Sequence, residues 1–92
     1  MNVHITNHAS IRMQQRGIRP EILDYLHQYG ETVRDGHGAL VLTFGKRSKS
    51  MLRRVLDRKA YASIESKLNA YAVLSEDGLV ITVGYRQRRF YH

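Results

Sequence analysis

Three residues near the amino terminus have the types and spacing for metal-free chemistry on a phosphodiester. His8, Arg12 and Arg16 recur every four residues in T-N-H-A-S-I-R-M-Q-Q-R-G, Thr6 to Gly17. At about 100° per residue they drift only about 80° around a helix axis, so one imidazole and two guanidiniums share a face. Gln15 lies at its edge, Ala9 and Met13 on one flank and Ile11 on the other. RNA is cleaved without a metal when its own 2′-hydroxyl attacks the adjacent phosphate. The catalyst must then take one proton, give another and stabilise the added negative charge. Imidazole, with an ordinary pKa near 6.5, suits the proton work. Guanidinium keeps its charge and grips phosphoryl oxygens in a two-pronged clamp. His8 is therefore the candidate base or acid, and Arg12 and Arg16 the candidate phosphate holders. From the other end of the chain, Tyr85 supplies a phenol that can act as an acid or orient the phosphate. Arg86, Arg88 and Arg89 supply further phosphate contacts.

Each of these residues also has an ordinary structural reading. A histidine near a helix start can cap or simply face solvent. Arg12 and Arg16 can pair with Glu21, Asp24 or Glu31, or coat the surface. Arg53-Arg54 and Arg58-Lys59 read as the solvated face of a helix, and Tyr61, Tyr71 and Tyr85 as core or sheet-packing aromatics rather than base-stacking platforms. The tail R-Q-R-R-F-Y-H mixes cations with aromatics, as phosphate-plus-stacking sites do, but a chain end of that composition can equally be disordered.

Composition narrows the classes. The 92 residues favour one domain, and 42% apolar residues can build a small core. Fifteen Lys and Arg against eight Asp and Glu leave a net charge of +7, which points to a polyanionic partner, most often nucleic acid. With no cysteine, disulfides, thiolate catalysis and cysteine-type zinc sites are excluded. His4 and His8 are four apart, but no carboxylate or further histidine follows at ligand spacing, so no metal site is expected. No phosphate-cradling glycine loop and no acidic cluster for magnesium is present, and no cofactor is expected. M-N-V-H-I-T-N-H lacks the basic and apolar regions of a signal peptide, and no apolar run approaches the roughly 20 residues of a membrane span. The expectation is a cytoplasmic protein with no membrane partner.

The elements that must position these groups read as follows. Val3 and Ile5 form a brief edge strand or lead into helix one, Asn7 to Arg16, capped by Thr6 or Asn7 and closed by Gly17. Pro20 opens helix two, with Glu21 in its first turn. Ile22, Leu23, Leu26 and Tyr29 make its apolar face, and Gly30 ends it. The two helices form a hairpin whose inner surface includes Met13, Ile18, Ile22 and Leu26. Glu31 to Asp35 and Ala39 to Gly45 read as an antiparallel pair around Gly36-His37-Gly38, with Leu40, Leu42 and Phe44 on one face and Val41 and Thr43 on the other. Lys46 to Ser50 reads as a basic linker whose Ser48 or Ser50 caps a helical stretch, Met51 to Leu68. That stretch is one helix, or two with a break near Asp57–Lys59. Asn69 to Ser75 and Leu79 to Tyr85 form the second hairpin around Glu76-Asp77-Gly78. In its last strand Leu79, Ile81, Val83 and Tyr85 alternate against Val80, Thr82, Gly84 and Arg86. The expected architecture is α+β: two N-terminal helices on one face of a four-stranded antiparallel sheet, with a helical segment between the two hairpins.

The run His8 to Ile18 resembles the H-A-x-x-R-M-x-x-R-G-I signature of a bacterial family of small domains of unknown function. Tyr29-Gly30-Glu31 and the stretch from Asp77-Gly78 through Thr82-Val83-Gly84-Tyr85-Arg86 extend the resemblance over most of the chain, least between Lys46 and Lys67. That family is grouped with the barnase, EndoU, colicin and RelE-like ribonucleases. The resemblance implies a single RelE/barnase-like α+β domain over residues 1–92. It implies a metal-independent, toxin-like endoribonuclease that leaves a 2′,3′-cyclic phosphate, with a cognate antitoxin protein. By analogy its active face combines His8, Arg12 and Arg16 with Tyr85 and Arg86. Two other classes stay open from the residues: a non-catalytic nucleic-acid or ribosome-binding module, and a protein-interaction domain that meets an acidic partner. His8 inside the arginine stripe favours the enzyme; basic residues alone serve the others equally well.

Overall fold

Helix α1, Asn7–Gln15, starts and stops where its local chemistry dictates. The Thr6 hydroxyl accepts from the Ala9 N–H at 3.0 Å, a cap of a kind that contributes about 1 kcal/mol. At the other end Gly17, at φ 64°, takes the left-handed conformation that lets Ile18 N–H reach back to the Met13 carbonyl at 2.8 Å. The computed structural model describes residues 4–86, so the expectations for Val3, Arg88, Arg89 and the rest of the tail lie outside the described residues.

Among the described residues, four helices and four strands follow in the order α1, α2 (Pro20–Tyr29), β1 (Glu31–Arg34), β2 (Leu40–Thr43), α3 (Lys46–Val55), α4 (Arg58–Ile64), β3 (Ala70–Leu74) and β4 (Val80–Tyr85). A 3₁₀ turn, Glu65–Lys67, joins α4 to β3. The strands form one antiparallel sheet in the order β1-β2-β3-β4. This is the expected α+β arrangement, with a helical segment between the two hairpins. Ile5 adds a single parallel bridge to Val80, through Thr6 N–H to Val80 O and Val80 N–H to His4 O, both 2.9 Å.

The core lies on one side of the sheet. Leu42, Phe44, Ala70, Ala72, Leu74, Val80 and Val83 meet Ile22, Leu23 and Leu26 of α2, Leu52 of α3, and Tyr61 and Ile64 of α4. The helical stretch between the hairpins breaks in two because Asp57 caps α4, its Oδ1 accepting from the Ala60 N–H at 2.7 Å. Among the described residues, no helix is long and apolar enough to cross a membrane.

Three expectations need correction. Lys46 to Ser50 is not a linker but the first half of α3. Its Ser48 is buried, and its Oγ accepts from the Gly45 N–H at 3.2 Å. The basic residues hid this because they lie on the outward side, around a buried Ser48 and Leu52. Second, the unbroken alternation of Leu79, Ile81, Val83 and Tyr85 against Val80, Thr82, Gly84 and Arg86 does not hold along β4. The register shifts between Val73 and Leu74: Val73 faces Thr82, Leu74 faces Val80, and Ile81 is the extra residue of the bulge. One inserted residue reverses the alternation, so Val80 is fully buried while Ile81 is 36% exposed. Third, the inner residues of the two N-terminal helices are buried, but α1 packs chiefly on β4 and α2 on β2, β3 and α3, rather than on each other.

Candidate nucleic-acid interface

Helix α1 runs alongside β4, the edge strand next to it. Thr6 Oγ1 donates to the Ile81 carbonyl at 3.4 Å near one end, and Arg16 Nη1 donates to the Val83 carbonyl at 3.4 Å near the other. Ala9 and Met13 are buried, so the His8–Arg12–Arg16 stripe lies next to the buried side of the helix. The three residues do not act as one cluster. Arg12 Nε donates to His8 Nε2 at 3.5 Å, a long contact that needs the imidazole lone pair. Arg16 is two turns from His8, roughly 12 Å along the axis. It reaches the sheet instead.

Its destination depends on Gly84. A side chain there would collide with the Arg16 guanidinium and come within 2.8 Å of the Tyr71 hydroxyl oxygen. Glycine in a strand often marks such a close approach. Here it lets a cation from α1 and a phenol from β3 converge over the backbone of β4. Tyr71 is the cross-strand neighbour of Gly84 on one side and of Thr43 on the other; Thr43 in turn faces Glu31. Glu31, Thr43, Tyr71 and Gly84 thus form one row across the side of the sheet opposite the core. The Glu31 carboxylate lies over Gly45. The next row is Val33, Val41, Val73 and Thr82, and Val33 is 54% exposed, so this face is open. A shallow cavity of about 340 Å³ lies on it, lined by Val33, Arg34, Val41, Thr43, Tyr71 and Arg86 among others.

Tyr85 and Arg86 part company at the end of β4. Tyr85 faces away from the row. Its hydroxyl donates to the Gly17 carbonyl at 3.3 Å, and Lys67 Nζ sits 5.7 Å from its ring centroid. Burial pushes its phenol above the ordinary value of 10.0, so at neutral pH it is a proton-bearing donor that fastens the end of α1 to the sheet. Arg86 is pinned by Asn69, whose backbone carbonyl accepts from Arg86 N–H at 2.8 Å and whose Nδ2 donates to the Arg86 carbonyl at 3.1 Å. Arg86 also lines the open-face cavity.

The ion pair among the described residues is Arg19 with Glu21, at 3.1 Å. Arg12 and Arg16 therefore do not pair with Glu21, Asp24 or Glu31 there. No group of three or more histidine or acidic side chains converges among the described residues in a way that could hold a metal ion. The structure brings His8 to Arg12, and Arg16 to Val83, Gly84 and Tyr71. It ties Tyr85 to Gly17, the residue after Arg16, and Arg88 and Arg89 lie outside the described residues. From the sequence Tyr71 reads as a packing aromatic rather than a base-stacking platform, and Thr43 and Glu31 are not candidates for the site. Their shared row is visible only once β2, β3 and β4 are aligned. A glycine inside the otherwise apolar run L-V-I-T-V-G-Y is the signal that points there.

Chemically, the open face offers the Arg16 guanidinium at its edge, Arg34 and Arg86 at the cavity, a phenol ring and valine side chains, with the Asp35 carboxylate lining the cavity as well. That combination takes a phosphate beside an aromatic base. Comparison of the chain with protein-family models, curated proteins and solved structures finds no match. The functional reading rests on the residues and their geometry.

Proposed function

We propose that this protein is a metal-independent, toxin-like endoribonuclease that binds single-stranded RNA along the α1–β4 seam and the open face of the sheet. The observation that carries the reading is the meeting of Arg16 and Tyr71 over Gly84, on the helix that also pairs His8 with Arg12. The net charge of +7 and the resemblance of His8 to Ile18 to the ribonuclease-related signature support it. In this reading His8 takes the proton of the 2′-hydroxyl. The 2′-oxygen bonds to phosphorus, the bond to the 5′-oxygen breaks, and that oxygen receives a proton from solvent water. Arg12 stabilises the phosphorane oxygens next to His8. Arg16 and Arg86 hold neighbouring phosphates, because a two-turn separation is too long for His8 and Arg16 to share one. Tyr71 stacks on a base. Tyr85 is a positioning residue, since its hydroxyl is committed to Gly17. A cytoplasmic place of action and an acidic antitoxin as protein partner belong to the same proposal.

The test is RNA cleavage in EDTA by the wild type and His8→Ala, with analysis of the fragment ends. Cleavage to 2′,3′-cyclic phosphate and 5′-hydroxyl ends, reduced about a hundredfold or more in the variant, is expected. Cleavage abolished by EDTA contradicts the mechanism. The exposure of His8, whose described hydrogen-bond partner is Arg12 alone, favours one second reading: a module that binds RNA without cutting it. It predicts no cleavage, and binding that His8→Ala leaves nearly unchanged.

A further inference from the structure

A second cavity, of about 520 Å³, lies at the end of the sheet between α3, the 3₁₀ turn and the first residue before β3. Phe44 and Leu68 form its apolar floor. Lys49 and Arg86 bring two cations to it, and Ser66 and Asn69 bring neutral hydrogen-bonding groups. Among the described residues, Glu65 is the one acid that lines it. The cavity plays no part in the chemistry assigned to His8, Arg12 and Arg16.

Arg86 connects the two hollows. It lines both the open-face cavity and this one, and Asn69 holds its backbone from both directions. An arginine that lines both cavities suits, through its guanidinium, a phosphate that links two nucleosides. The contents of the second cavity suit the next nucleoside. Lys49 would meet the following phosphate, Phe44 and Leu68 offer an apolar surface, and Glu65 is an acceptor for a base N–H or a ribose hydroxyl. The acid also disfavours a bare polyanion, so a site with two cations and one carboxylate selects a nucleotide over free phosphate.

We infer that the cavity is a second nucleotide subsite of single-stranded RNA, with Arg86 gripping the phosphate between it and the sheet face. The inference rests on the sheet-face reading for the first nucleotide. A duplex cannot use both hollows, because its bases stay stacked and paired while the strand must turn around the end of β4.

The test uses the full chain and 2′-O-methyl oligonucleotides, which cannot be cleaved by their own 2′-oxygen. A fluorescent dinucleotide and hexanucleotide are titrated with wild type, Lys49→Ala and Arg16→Ala, with circular dichroism confirming the fold of each. Lys49 is part-exposed, and its truncation leaves the core intact. Lys49→Ala is expected to weaken the hexanucleotide about tenfold, to lower its salt slope by about 0.7, and to leave the dinucleotide within about twofold. Arg16→Ala is expected to weaken both. Unchanged hexanucleotide binding by Lys49→Ala overturns the subsite. Equal loss on both probes overturns it as well, because Lys49 would then act only as general charge. Loss with Lys49→Ala but none with Arg16→Ala overturns the sheet-face reading while supporting the cavity as a nucleotide site in its own right.

Discussion

Among the described residues, two arginine–tyrosine pairs have opposite meanings. Arg53 of α3 lies over Tyr61 of α4, 5.7 Å from the ring centroid, and its Nη1 donates to the Tyr61 hydroxyl at 3.2 Å. Tyr61 is buried in the core, so Arg53 closes the seam between two consecutive helices and satisfies a phenol. Arg16 and Tyr71 come from elements far apart in the chain and meet over a glycine on the open side of the sheet. The first pair covers a core. The second leaves a guanidinium and a half-buried ring beside a cavity. The α3–α4 surface is rich in charge, with Arg53, Arg54, Arg58 and Lys59 in close succession, yet charge density does not make a site. Convergence of unlike groups on an open surface does.

The strongest way to break this contrast is Gly84→Val. The new side chain would displace the Arg16 guanidinium and press on Tyr71. Overpacking of this kind costs about 1–3 kcal/mol, and RNA affinity is expected to fall about tenfold or more, measured by urea unfolding and fluorescence anisotropy. A variant that binds RNA normally would show that the convergence has no part in recognition.

Arg16→Ala and Arg53→Ala sharpen the contrast by reversing each other's effects. Arg16→Ala is expected to weaken RNA binding by about 1–2 kcal/mol and to change unfolding free energy by about 1 kcal/mol or less, since its Val83 contact is long. Arg53→Ala is expected to lower stability by about 1 kcal/mol, through loss of the hydrogen bond and the cation–π contact, with RNA binding changed about twofold at most.

Tyr85→Phe probes the strut that holds Arg16 in place, and its effect is the smallest. Burial raises the Tyr85 pKa in the folded state above 10.0, so the unfolded chain loses that proton first. The contribution is present in full below the unfolded value and is lost as pH rises through the folded one. Thermal unfolding of the wild type should therefore shift down above about pH 10, and Tyr85→Phe should flatten part of that alkaline limb. An identical limb in the variant would assign the loss to other groups.

Much of the frame was legible in the residues. Thr6, Gly17, Pro20 and Gly30 bound the first two helices, and the alternation of Leu40, Leu42 and Phe44 set the face of β2, because these signals are local. The face of β4 was not legible. A single bulge at Ile81 depends on pairing with Val73 and Leu74, and nothing within Leu79 to Tyr85 reveals it. Lys46 to Ser50 misled for a related reason, since a helix with only Ser48 and Leu52 buried shows almost no apolar period. At the site, the four-residue spacing placed His8 beside Arg12 correctly. It could not show that Arg16 turns away toward Tyr71, because that contact depends on how α1 lies against β4 and on the register of β3 with β4.

The most direct measurement is anisotropy of a labelled single-stranded RNA with wild type, Arg16→Ala and Arg53→Ala at one fixed salt concentration. The account predicts an affinity loss of about tenfold for Arg16→Ala and almost none for Arg53→Ala. Equal losses from the two variants, or a larger loss from Arg53→Ala, would contradict it and move the interface to the helical surface.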